Sequence, residues 1–368
     1  MTTPLIRPGK IGVAFDMYGC PNTCRHCWLR CPHNRDMTVQ EVRWGLAQFR
    51  HYARPDGTRP FARIAVSTSW LEPDYSDDYE QLYELERQLG DYPPARYELL
   101  SVWRLAQDKD YAAWAARIGP SICQITFFGV QETHDWFCRR QGAFKDNITA
   151  TKRLLEAGIK PRWQLFLTTK GIPELGEVMK LAGKMKLAQR VEALGGEFVM
   201  FAHTPGPDGP AVRIEHLRPT AEQLSAVPSA LMEASRRHVS NQPDFLQPES
   251  ALLERILAEP QGFPYAYEYP RELWFLVTSD FDVYPNIGSV HPWWRLGNLR
   301  TDGIARIVET YEQDRCPGLR TIHSIPLRHL ATVQGDSAGR KVYDGTDDLA
   351  ALYVDRYCQD AMKHSAML

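Results

Sequence analysis

Three cysteines stand within eight residues near the N-terminus, in Cys20-Pro-Asn-Thr-Cys24-Arg-His-Cys27, spaced C-x3-C-x2-C. Three thiolates on one short loop can hold three corners of a [4Fe–4S] cube and leave the fourth iron open. A cluster kept for electron transfer has four protein ligands instead. An open iron is a place where chemistry can be done. Cys31 follows Cys27 by four residues, so a closed four-thiolate site, either structural zinc or an electron-transfer cluster, is the competing arrangement. Structural zinc usually takes two well-separated C-x2-C knuckles; this chain has one compact group.

The elements that must hold such a loop are legible in the apolar runs. Strands are expected near 10–16, 61–68, 96–103, 121–128, 162–169 and 196–203, with helical patterns between most of them. Thr38-Val-Gln-Glu41 is a capping box, and Met37 and Val42 stand where a hydrophobic staple would put them. Phe144, Ile148, Thr151 and Leu155 share a helical face, and Gly158 is placed to end that helix. Alternating strand and helix predicts parallel β/α units. Six units are too few to close an eight-stranded barrel. The expected fold is therefore α/β: a partial (β/α)6 barrel over residues 1–205 and a smaller α+β C-terminal extension over 206–368. The boundary is the stretch His203-Thr-Pro-Gly-Pro-Asp-Gly-Pro210. Helices near 219–239, 248–258, 302–313 and 346–363 and a hairpin of 273–277 with 281–284 complete the expectation.

The cysteine spacing just after a first strand resembles the radical SAM superfamily, whose core is a partial barrel of this kind. The resemblance implies that S-adenosylmethionine (AdoMet) chelates the open iron and that its reduction releases a 5′-deoxyadenosyl radical. After strand two the family carries Gly-Gly-Glu-Pro; here the residues are Trp70-Leu71-Glu72-Pro73. Glu72 is left to meet the AdoMet ammonium, while two bulky side chains replace glycines that let backbone approach the cofactor. Ile125 to Asp135 and Gln141-Gly-Ala-Phe144 resemble the branch with peptide maturases and molybdenum-cofactor cyclases. Asp282-Val-Tyr-Pro-Asn286 with Leu296 to Gly303 resembles that branch's SPASM/Twitch extension in degenerate form. Relatives with auxiliary clusters carry cysteine where Asn286 stands. Only Cys316 and Cys358 lie beyond the barrel, too few for an ordinary four-ligand auxiliary cluster. One cluster is expected.

Polar side chains on strands three to five, Ser101, Gln124, Thr126 and Gln164, are candidates for the AdoMet ribose and carboxylate. Trp28 is a candidate to stack on adenine or simply to pack. Arg25 and His26 inside the loop would tune the cluster through charge and hydrogen bonding or merely solvate it. His203 and His134 are the acid/base candidates at the barrel mouth. His291, Trp293, Trp294 and Arg295 combine stacking surface and charge, as a substrate platform or as an aromatic patch packing two domains.

Net charge is −2 without a run of basic residues, which speaks against nucleic-acid and membrane-surface roles. No stretch approaches the ~20 apolar residues of a membrane span, and the N-terminus has no secretory h-region. Eight cysteines, three or four of them clustered, suit metal binding in a reducing cytosol. The expected activity is hydrogen abstraction from a small molecule such as a sugar, nucleoside or natural-product scaffold, leading to epimerisation, dehydration, oxidation or rearrangement. An electron donor such as flavodoxin or ferredoxin would be its partner. A peptide maturase is the alternative within the same superfamily. A non-catalytic zinc or iron–sulfur module is the alternative of another class.

Overall fold

A computed structural model describes residues 6, 10–16, 20–27, 37–68, 74–94, 99–207, 209–258, 273–285 and 290–365 of the chain. Trp28, Cys31, Trp70 to Pro73 and Asn286 lie outside the described residues.

The first strand, β1 (Lys10–Phe15), leads through α1 (Val39–His51) to β2 (Arg63–Ser67), and the two strands pair in parallel. Helix α1 starts where its capping box predicts: Glu41 N–H donates to Thr38 Oγ1, and Thr38 N–H donates to the Glu41 carboxylate. Met37 and Val42 are both buried, as a staple requires. The helices α2 (Tyr79–Leu89), α3 (Val102–Gln107) and α4 (Tyr111–Ile118) follow. A second parallel sheet runs β3-β4-β5, from Ile122–Phe127, Lys160–Phe166 and Met200–His203. Helices α5 (Gln131–Cys138) and α6 (Ala143–Glu156) join β3 to β4, and α7 (Leu175–Lys184) and α8 (Leu187–Glu192) join β4 to β5. Gly158, with φ of 79°, stops α6 as expected.

The third expected strand is a correction. Residues 95–98 are outside the description, and the rest of the 96–103 segment turns into α3. Ser101 caps that helix through Oγ, which accepts from Arg104 N–H at 3.0 Å. The Arg104 guanidinium then fastens the turn by donating to the carbonyls of Asp74 and Tyr75 and to Asp77 Oδ1. Local capping and one buried arginine outweigh the strand-like composition of Leu-Leu-Ser-Val-Trp. Five of the six expected barrel strands are present among the described residues, in an open arrangement.

Beyond β5 come α9 (Ala221–Leu224), α10 (Ser229–His238), β6 (Gln247–Pro248) and α11 (Glu249–Ala258). The single helix expected over 219–239 is thus two, broken before Pro228, which cannot continue the hydrogen-bond ladder. The hairpin forms as expected, from β7 (Leu273–Val277) and β8 (Asp282–Pro285), with β9 (Gly297–Asn298) beside it. Its placement was not foreseen. β7 lies parallel to β1, making one sheet ordered β2-β1-β7-β8-β9. Gly12 permits this, because a Cβ there would sit 2.0 Å from the Trp274 indole on the neighbouring strand. The chain closes with α12 (Gly303–Glu312), α13 (Pro317–Ser324), α14 (Leu327–Gln334), β10 (Val342–Tyr343) and α15 (Thr346–Ser365).

Each sheet packs its apolar face on helices. Ile11, Val13, Phe15, Ile64, Val66 and Phe275 join the core with α1, α12 and α15. Cys123, Ile125, Phe127, Trp163 and Leu165 join the core under α4, α6 and α7. With side chains alternating along each strand, the opposite face of β3 and β4 is left to Gln124, Thr126, Arg162 and Gln164.

Candidate active site

The cysteine loop lies directly after β1 and is tied to the end of α5. Thr23 N–H donates to Cys138 O at 3.3 Å, and Arg25 N–H donates to Phe137 O at 2.9 Å. Arg140 Nε donates to Asn22 Oδ1 at 2.6 Å. The Arg25 guanidinium lies 4.0 Å over the Trp136 ring and donates from Nε to Trp136 O. Cys24 packs against the apolar cluster that contains Phe128, Phe137, Cys138 and Phe166. Cys20, Cys24 and Cys27 are all half-buried.

The donor set fits the cluster that the sequence implies in type and number: three thiols on one anchored loop. Among the described residues no three or more His, Cys, Asp and Glu side chains are gathered on one point as a metal site. A second observation supports the fit. His26 is wedged between Phe128 and Phe166, with ring centroids at 4.5 and 5.0 Å, and its Nδ1 is buried without a hydrogen-bond partner. Burial, followed by repulsion from His134 and His203, pushes its pKa down to about 3, so the ring is a neutral imidazole beside the thiols.

Three of the four residues expected on strands three to five to meet AdoMet come together. Strand register sets Gln124 beside Arg162 and Thr126 beside Gln164. Arg162 donates to Gln124 Oε1 at 2.7 Å, Gln124 Nε2 donates to Gln164 Oε1, and Thr126 Oγ1 donates to the same oxygen at 3.2 Å. Gln164 Nε2 in turn meets Nε2 of His203, the candidate acid/base at the end of β5. His203 Nδ1 faces Asp344 Oδ2 at 2.7 Å. The other Asp344 oxygen accepts from Thr204 N–H at 2.7 Å and from Thr204 Oγ1–H at 2.8 Å. Arg218 supports that end, donating to Thr204 Oγ1 at 3.0 Å. The Phe166 ring lies between the two halves of the site, 4.8 Å from His203 and 5.0 Å from His26.

The other candidates stand apart from this group. Ser101 is fully buried as the cap of α3, its hydroxyl committed to the helix end. His134 is buried on α5, not at an open mouth. Its Nδ1 accepts from Phe128 N–H at 3.4 Å, its Nε2 meets Cys138 Sγ at 3.4 Å, and Phe127, Phe128 and Phe144 surround the ring. Burial pushes its pKa down to about 4. This is a satisfied packing histidine.

Of the 291–295 segment, the two tryptophans belong to the core, while His291 is half-buried and Pro292 and Arg295 are exposed. Trp293 and Trp294 are buried, and Trp294 lies flat on Gly318, where a Cβ would come within 2.3 Å of the indole. His291 stacks on Trp293 at 4.3 Å. Arg295 is held by Asp282 at 2.8 Å and by Asp302 at 3.9 Å. Aromatic surface near a glycine-bearing helix is most cheaply hidden against it.

Three contributors were missed. Arg162 was detectable, two positions before Gln164 on the same strand. Asp344 carried no local signal, because its partner lies 141 residues earlier. Asp16 follows β1 and precedes the cysteine loop, with Oδ1 buried and without a hydrogen-bond partner. Burial lifts its carboxyl to about 7.

No family model matches the chain, and no curated relative matches it. Solved structures do. Native anSMEcpe with bound AdoMet superposes with a TM-score of 0.52 at 14% identity, over 97% of this chain and 99% of that one. Native anSMEcpe with bound AdoMet and Cp18Cys peptide gives 0.51 at 13% identity, again over 97% and 99%. No helix of the described residues is long and apolar enough to cross a membrane. Identity this low speaks to architecture alone, and the architecture these chains share is an open parallel α/β arrangement with a C-terminal extension.

Proposed function

We propose that this chain is a radical SAM enzyme that acts on a polypeptide segment. One observation carries the reading: a three-cysteine loop after β1, in a fold matching end to end that of a protein bound to both AdoMet and a peptide. Cys20, Cys24 and Cys27 would hold a single [4Fe–4S] cluster. Such a cluster would supply the one electron needed for reductive cleavage of AdoMet. The electron comes from a reduced carrier protein of the flavodoxin or ferredoxin type.

The chain's own residues account for the remaining tasks. The loop anchors to α5 keep Cys24 against the apolar cluster that includes Phe128 and Phe166. Gln124, Thr126 and Gln164 offer amide and hydroxyl groups suited to AdoMet or to peptide backbone. His203, steadied by Asp344, accepts a proton from the substrate at Nε2 and leaves the imidazolium paired with a carboxylate. Residues 1–205 carry the cofactors in this reading. Residues 206–368 supply Asp344 and cover the open side of the barrel, keeping water from reactive species. Cys316 and Cys358 are packed in the core that holds α12 and α15, where burial raises their thiol pKa values to about 12 and 11.

The small-molecule reading stands second, because the bound partner of the matching structure is a peptide. The deciding experiment incubates reconstituted, reduced protein and AdoMet with peptides translated from the reading frames flanking its gene, beside a panel of sugars and nucleosides. A reductant-dependent mass change in a peptide is expected. A change confined to the sugars or nucleosides would overturn the peptide assignment.

A further inference from the structure

Arginine is a donor only, and glutamine has one accepting end and one donating end. Those two facts give the hydrogen bonds across the strand face a direction. Arg162 donates to Gln124, so Gln124 must turn its oxygen to the guanidinium and its amide nitrogen to Gln164. Gln164 must then turn its own oxygen to Gln124, where it also accepts from Thr126, and its nitrogen to His203. An amide N–H reaching an imidazole nitrogen requires a lone pair there. The ring proton must therefore sit on Nδ1, where Asp344 Oδ2 waits at 2.7 Å.

The opposite end agrees. Arg218 donates to Thr204 Oγ1, so the Thr204 hydroxyl hydrogen is directed to Asp344. Both arginines push donors inward, and Asp344 is where the two series end. A proton on Nε2 would set two donors face to face, which a half-buried site penalises.

We propose that Arg162 is a positioning residue. Acting through Gln124 and Gln164, it fixes His203 as the Nδ1–H tautomer and keeps the Nε2 lone pair turned into the barrel. The Gln164 amide group holds the place that an N–H or O–H of the substrate takes when it approaches. The tautomer follows from the chain alone; its use in turnover rests on the function proposed above.

The test is the nitrogen chemical shifts of isotope-labelled histidine in the intact protein, at a pH above the ordinary imidazole range. The His203 signals are identified by their loss in His203→Gln. In the parent protein Nδ1 should appear as the protonated nitrogen and Nε2 as the unprotonated one. Arg162→Met should draw the two shifts toward each other as both tautomers become populated, and Arg162→Lys, still a pure donor, should restore the separation. Gln164→Glu, which can only accept, should protonate Nε2 while Asp344 keeps the proton on Nδ1, so that both nitrogens appear protonated. A parent protein with Nε2 protonated, or Arg162→Met and Gln164→Glu spectra unchanged from the parent, would overturn the proposal. None of these readouts depends on cluster or AdoMet, so failure here leaves the enzymatic reading standing, and failure of that reading leaves the tautomer intact.

Discussion

Asp344 reaches back across 141 residues to hold Nδ1 of His203 at 2.7 Å. The contact joins the turn before the last helix to the last strand of the parallel sheet, so chain outside the barrel completes a side chain inside it. Asp344→Asn removes the charge that steadies a protonated His203. A hydrogen bond to a charged group is worth about 1.5–3 kcal/mol, roughly 10- to 150-fold in rate. Product formation should fall by that factor while release of 5′-deoxyadenosine without product continues. Chromatography of both products from one reaction checks it; equal loss of the two would place Asp344 in cofactor binding instead.

Asp16 sets a pH dependence of stability. Its carboxyl titrates at about 7 in the folded chain against an ordinary 3.8. The folded state therefore holds this proton more tightly than the unfolded one, and the contribution is full below the unfolded value and lost as pH rises toward 7. Asp16→Asn should match the parent in acid and become increasingly the more stable of the two toward neutral pH, levelling off above it. Melting curves across that range decide, and an advantage that shrinks with rising pH would contradict the burial argument.

The tryptophans of the 291–295 segment should report on stability rather than on substrate. Trp294→Ala empties a buried site against Gly318 and should cost about 3–5 kcal/mol. Urea unfolding measures that loss. The ratio of product to 5′-deoxyadenosine in the folded fraction should not change. Full stability with lost product would return the segment to substrate binding.

His134→Gln should likewise act on folding. Both of its ring nitrogens already have partners within the α5 region, so the ratio of product to 5′-deoxyadenosine should stay near that of the parent while thermal stability drops. Loss of product at unchanged stability would reinstate His134 as an acid/base group.

Local patterns in the sequence carried far, and their reach has a physical limit. The capping box at Thr38 and Glu41, the hairpin strands and five of the barrel strands are set by neighbours a few residues apart, and all are found. The segment around Ser101 failed because Arg104 ties its turn to Asp74, Tyr75 and Asp77, contacts no short window contains. Gln124, Thr126 and Gln164 were recognisable because alternate strand residues share a face. Arg162 belongs to the same row and was overlooked. Burial separated His203 from His134, since a histidine's type says nothing of which core encloses it. Asp344 and the pairing of β7 with β1 depend on long-range closure of the chain, which spacing does not encode.

The central claim meets its most direct test in anaerobically reconstituted, reduced protein given AdoMet. About four irons per chain and slow release of 5′-deoxyadenosine are predicted. Cys24→Ala should lose both, and Cys31→Ala should keep both. A chain that takes up tetrahedral zinc and no iron, or a Cys31→Ala variant as inactive as Cys24→Ala, would contradict the account.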